Sequence, residues 1–135
     1  MSKTFKFEIV APEKIVYGDT VKSISAVGTE GAFGVLAGHA PLITEIQTSI
    51  LTVVDANGKT FRFALDGGFL EVMANNVVVL TDSCVKEGEV SVEKARAEKE
   101  AAEKALHAGG SADEKLRSQA ALKRADTWLK LANAH

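Results

Sequence analysis

The sequence predicts an α+β protein in two segments: an antiparallel β-sandwich, or flattened barrel, over residues 1–88, then an antiparallel two-helix hairpin over residues 89–135. Three observations predict it. Seven of the eight aromatic residues (Phe5, Phe7, Tyr17, Phe33, Phe61, Phe63, Phe69), both prolines and nine of the eleven glycines fall in the first segment, and only Trp128 falls later. Before residue 88 apolar residues alternate over short runs broken by turn residues, the pattern of half-buried strands. Beyond it Ala, Glu, Lys, Arg and Leu dominate without β-branched runs, and these residues lose least on entering a helix.

The elements follow in order. Phe5, Phe7 and Ile9 alternate with Lys6, Glu8 and Val10 as a first strand. The runs Ile50 to Asp55 and Thr60 to Leu65 flank Ala56-Asn57-Gly58-Lys59, and Asn-Gly is the pair that most readily takes the positive φ of a tight hairpin turn. Phe69 to Met73 and Val77 to Thr81 repeat the plan around Ala74-Asn75-Asn76, with Gly67-Gly68 separating this pair from the strand before it. Many short antiparallel strands therefore follow one another, as in a sandwich.

In the second segment Ser91 is placed to cap a helix, with Glu93 in its first turn opposing the dipole. Gly109-Gly110 ends that helix, and Ser111 or Asp113 caps the next. The first helix carries an apolar stripe of Val92, Ala95, Ala102 and Leu106, the second one of Leu122, Ala125, Leu129 and Ala132. Both stripes are rich in alanine. Each buried alanine contributes ~1 kcal/mol, about what ordering one backbone unit costs, so the hairpin is expected near the margin of stability and able to adopt more than one packing.

Composition excludes several classes. With 16 basic and 18 acidic residues the formal net charge is −2, which argues against a basic nucleic-acid-binding surface. The single cysteine, Cys84, excludes an internal disulfide and a cysteine-rich zinc site. No apolar run approaches the ~20 residues that cross a bilayer, and Met1-Ser2-Lys3-Thr4-Phe5-Lys6 lacks the apolar middle of a signal peptide. The mature chain is therefore expected to begin here, in the cytoplasm. The other histidines, His107 and His135, stand far from His39 in sequence, and Cys84 has neither Cys nor His nearby. His39 is accordingly expected to bond backbone or a partner, and Cys84 to serve as a small packing residue. A small enzyme using either one lacks a supporting constellation.

The segment Gly31-Ala32-Phe33-Gly34-Val35-Leu36-Ala37-Gly38-His39-Ala40-Pro41-Leu42 reads as a shaped loop, because Gly31, Gly34 and Gly38 permit positive φ and Pro41 sets the direction of the next strand. It is not a phosphate loop, since no Gly-Lys-Ser/Thr falls within it and no helix pattern follows it. Together with Asp66-Gly67-Gly68-Phe69-Leu70-Glu71-Val72, Glu8-Ile9-Val10-Ala11-Pro12 and Arg96-Ala97, this segment resembles the signatures of the epsilon subunit of the rotary F-type ATP synthase, bacterial or chloroplast type. The resemblance covers essentially the whole chain.

What the resemblance implies is a non-catalytic central-stalk subunit at the cytoplasmic face of the cell membrane, held there through its complex. Its implied partners are the gamma subunit, the c-subunit ring and the beta and alpha subunits of the catalytic hexamer. It implies ring contact through Glu30, Gly38, His39 and Ala40, although Ala32 stands where the family often has an acid. It further implies a nucleotide set of Glu87, Glu93, Arg96, Ala97 and Arg124. Glu93 replaces the family's Asp, and Glu103 and Trp128 stand at positions that can be arginine. No cofactor is required, and ATP binding is expected to be weak or absent; the same residues also read as a solvated helix face with i,i+4 pairs such as Glu100 with Lys104.

Arg117 and Arg124, like Lys123 and Lys130, recur seven apart, so cations line adjacent faces of the second helix. In the resembling family this hairpin either folds on the sandwich or extends to an acidic loop of the catalytic subunit and inhibits ATP hydrolysis. The expectation is a mobile brake. A second reading is a free-standing ATP sensor whose helix pair closes on nucleotide.

Overall fold

The computed structural model describes residues 3–133. His135 therefore lies outside the described residues. Nine strands come first: β1 (Phe5–Ala11), β2 (Lys14–Gly28), β3 (Gly31–Leu36), β4 (Leu42–Ile46), β5 (Ser49–Asp55), β6 (Thr60–Leu65), β7 (Gly68–Met73), β8 (Asn76–Leu80) and β9 (Cys84–Lys86). Two helices follow, α1 (Val92–Ala108) and α2 (Ala112–Ala132).

The long strand β2 belongs to both layers. Its first half pairs with β1, and its second half is flanked by β3 on one side and β5 on the other, with Gly28 reaching Ile46 of β4. The order β1-β8-β7-β4-β2 closes on itself through the β1–β2 pairing, and β5, β6 and β9 extend from β2. Inward residues of both layers form one core that includes Phe5, Phe7, Ile9, Ile24, Leu51, Val53, Phe63, Leu70 and Val79. The expected flattened sandwich is present. One pairing departs from the antiparallel expectation: β1 and β8 run parallel, Phe7 opposite Val77. That contact joins the start of the chain to its third quarter, and no local turn announces it.

The Asn57-Gly58 hairpin forms as expected, with Val54 opposite Thr60 and Gly58 at φ +84°. The Asp55 carboxylate fixes it by accepting the backbone N–H groups of Asn57 and Lys59, both at 2.9 Å. In the second hairpin Met73 faces Asn76 and Ala74 takes φ +51°.

The glycine-rich segment is corrected. Residues 31–36 are not loop but strand β3, registered along β2 from Ser23↔Leu36 to Gly28↔Gly31. Gly31 and Gly38 do have positive φ, whereas Gly34 is not among the positive-φ residues. Only residues 37–41 turn the chain, where the His39 N–H donates to the Leu36 carbonyl at 3.1 Å.

Ser91 caps α1 and Ser111, rather than Asp113, caps α2; each Oγ accepts a backbone N–H three residues on. Lys99 on α1 pairs with Asp126 on α2 at 3.0 Å, a bond and charge that raise the Lys99 pKa. Ala95 and Ala102 of the expected α1 stripe are buried. The α2 stripe is corrected: Ala125 is buried with Thr127 and Leu131, while Leu122, Leu129 and Ala132 are half-buried. The reason is that α2 has two neighbours, packing on α1 and also on β5 and β6. Ala64 records this second contact. It points away from the core between inward Phe63 and Leu65, yet it is fully buried, on a strand against which α2 packs.

Candidate functional site

Two surfaces stand out. The first is the outer face of β4, β7, β8 and β1. Because side chains alternate across a strand, placing Leu70, Val72, Val77 and Val79 in the core turns their neighbours outward. The register aligns them in rows: Ile43, Glu71, Val78 and Glu8 in one, and Glu45, Phe69, Leu80 and Val10 in the next. Ile43 is 71%, Met73 59%, Phe69 54% and Leu80 51% exposed. Three carboxylates (Glu8, Glu45, Glu71) are interleaved with these side chains, and Lys6 is the one cation that alternation places on this face. A shallow cleft of about 470 Å³ between Pro12, Glu45, Phe69 and Leu80 indents it. Contiguous exposed apolar surface with a polar rim is the signature of a partner-binding face. The outward half of each alternating run carries this surface, and it shows no contiguity until the register aligns the strands.

The second is the junction between sandwich and helices. Arg124 Nη1 of α2 donates to Asp66 Oδ2 at 3.2 Å, and its Nε lies 3.9 Å from Glu98 on α1. Asp66 Oδ1 accepts the Thr48 hydroxyl at 3.3 Å. Beside it Lys123 Nζ donates to Gln47 Oε1 at 3.3 Å, and the Gln47 amide donates to the Gly28 carbonyl at 3.2 Å. The Asp66-Gly67-Gly68 turn is held from within: the Asp66 N–H donates to Ser83 and the Thr81 hydroxyl to the Gly67 carbonyl at 2.6 Å. A cleft of about 310 Å³ lies alongside, lined by Cys84, Ala95, Glu98, Arg124 and Trp128 among others. Burial, assisted by Glu89, pushes the Cys84 thiol up to about 12, so it is a poor nucleophile and packs against the core.

The residues named from sequence fall as follows. Of the nucleotide set, Arg124 lines this cleft. Glu87 pairs with Arg62 at 3.1 Å on the sandwich, and Glu93, Arg96 and Ala97 lie exposed on α1. Of the ring set, Glu30 precedes β3 while Gly38, His39 and Ala40 follow it, two groups separated by a six-residue strand, about 20 Å long. The His39 Nδ1 lies 2.7 Å from the Ala40 carbonyl; since that oxygen only accepts, Nδ1 carries the proton. Of the cationic stripe, Lys123 and Arg124 face the sandwich, whereas Arg117 and Lys130 are exposed and make no ion pair among the described residues. Among the described residues no group of three or more His, Cys, Asp or Glu could hold a metal ion, and no helix is long and apolar enough to cross a membrane.

The two-part architecture, a sandwich followed by a helix pair, is matched by a known family. Residues 4–87 match the family described as ATP synthase, Delta/Epsilon chain, beta-sandwich domain, and residues 89–133 match its long alpha-helix domain. Among similar chains is an ATP synthase epsilon chain of Desulforamulus reducens, 38% identical over 98% of this chain and 99% of that one. Another, from Carboxydothermus hydrogenoformans, is 44% identical over 71% of each. In fold, the chain resembles one in a mitochondrial ATP synthase structure from Euglena gracilis, with a TM-score of 0.81 and 22% identity over 94% of this chain and 80% of that one. The chain belongs to the ATP synthase delta/epsilon chain family, as a non-catalytic subunit of the epsilon type.

Proposed function

We propose that the sandwich links the gamma shaft to the c-ring, coupling proton translocation to ATP synthesis, and that the helix pair inhibits ATP hydrolysis when it leaves the sandwich. The observation that carries the reading is the pairing of an apolar, acid-studded outer face with a helix pair held elsewhere by polar bonds. The face suits an apolar shaft surface rimmed by cations, which the three glutamates complement. The turns bearing Glu30 and His39 are left for the ring, and Arg117, Lys123, Arg124 and Lys130 for an acidic loop of the catalytic subunit. The complex would lie at the membrane's cytoplasmic face. A relative in fold, from Tetrahymena thermophila (TM-score 0.63, 12% identical, 98% of each chain), carries the description "central stalk/cring".

Deleting residues 89–135 is expected to raise ATP hydrolysis by the assembled complex while leaving assembly intact. Unchanged hydrolysis would dispose of the brake and leave the stalk role standing. Any nucleotide binding is proposed to be weak, because Arg124 already faces two carboxylates, Asp66 and Glu98. Titration with ATP followed by Trp128 fluorescence checks this, and tight saturable binding by the isolated chain would favour the sensor reading instead.

A further inference from the structure

We infer that Asp66 is the receiver of a latch that keeps the helix pair docked, and that Arg124 is both the bolt of this latch and part of the inhibitory surface. The inference rests on the brake reading and deepens it.

The receiver is built independently of the bolt. The backbone of Asp66 is tied to Ser83 and that of Gly67 to Thr81, and one carboxylate oxygen is already committed to Thr48. The second oxygen is aimed at the helix, where Arg124 meets it. Gln47 is prepared in the same way, its amide bonded to Gly28 and its N–H to Val27, so that Oε1 remains to take Lys123. When the helices leave, both acceptors keep their positions and wait for return.

The bolt is reversible for a physical reason. The Arg124 side chain is 34% and the Asp66 side chain 19% exposed, so water competes for the pair, and bonds of this kind are individually weak. A second acidic surface can therefore take the same guanidinium, whose donors cannot serve Asp66 and a distant loop together. Docking on the sandwich and binding an acidic partner become mutually exclusive states of one helix face. The ligand that favours the undocked state shifts the population by its differential affinity alone.

The exchange gives the two partners opposite signatures. Asp66→Asn keeps an oxygen for Thr48 but removes the charge that Arg124 meets, while Arg124→Gln removes the bolt itself. Cys84 reports on docking in the full chain, since Ala95, Arg124 and Trp128 wall its cleft. Both variants are expected to raise the rate of Cys84 alkylation by iodoacetamide at pH 8 by about fivefold. Glu100→Gln, whose pair with Lys104 lies within α1, is expected to leave it unchanged. Amide exchange of β5 to β8 serves as the check that each variant is folded. In the assembled ATPase, Asp66→Asn deepens inhibition of hydrolysis and Arg124→Gln relieves it. An unchanged alkylation rate in folded Asp66→Asn overturns the latch. A rise in alkylation with hydrolysis indifferent to both substitutions supports the latch and overturns the brake; equal shifts of hydrolysis in the same direction overturn the double role of Arg124.

Discussion

A Cβ placed on Gly68 would overlap the carbonyl oxygen of Leu80. Gly68 has φ +137° at the start of β7, where it follows the Asp66-Gly67 turn that receives the helices. The close approach of β7 and β8 thus sets the position of that turn and the outward aim of Phe69 together. Gly68→Ala is expected to destabilise the sandwich by about 3 kcal/mol or more, combining backbone overlap with a left-handed φ. Gly58→Ala meets open space at φ +84° and should cost only about 1 to 2 kcal/mol. Urea unfolding of the two variants checks the difference, and similar losses would contradict it.

Leu131 is fully buried although it lies outside the main core cluster. It is the largest fully buried side chain of α2, whose other buried residues are Ala125 and Thr127. Leu131→Ala is expected to cost about 2 to 5 kcal/mol, falling on the helix pair and not on the sandwich. Hydrogen exchange should accelerate in α1 and α2 and stay slow in β5 to β8. Equal acceleration everywhere would mean that helices and sandwich unfold as one unit.

The Cys84 thiol gives a dependence on alkaline pH. Its pKa is raised in the folded chain to about 12, above an ordinary value of 9.0, so the folded state retains a proton that the unfolded state releases. Stability from this source is whole below pH 9 and declines as pH rises toward 12. Cys84→Ala should flatten that part of the curve. Thermal melts of the two proteins between pH 8 and pH 11, compared as differences, make the test, and parallel curves would contradict it.

How much of this was legible in the sequence depends on the range of the contact. The Asn57-Gly58 turn and the Ser91 cap involve residues within four positions of each other, and local chemistry announces them. Strand β3 was hidden because Gly31 and Gly34 suggest a turn, while the hydrogen bonds to β2 that extend the backbone are invisible in composition. A single apolar stripe does not predict the burial of Leu131, because α2 has two neighbours. Arg124 was recognised as a cation of interest, but its partner Asp66 is 58 positions away. The Asp66-Gly67-Gly68 motif carries part of the family resemblance in the sequence, and only the structure joins it to Arg124.

The docking face is the part of the account on which the stalk role depends. Phe69 stands exposed between Glu45 and Leu80, and replacing it changes no core contact. The most direct measurement is a titration of the purified chain against the isolated gamma subunit, using three forms: the unaltered chain, Phe69→Asp, and the chain ending at residue 88. The account predicts that Phe69→Asp weakens binding by at least ~30-fold while removal of the helix pair leaves it unchanged. Undiminished binding by Phe69→Asp, or loss of binding with the helices, would contradict it.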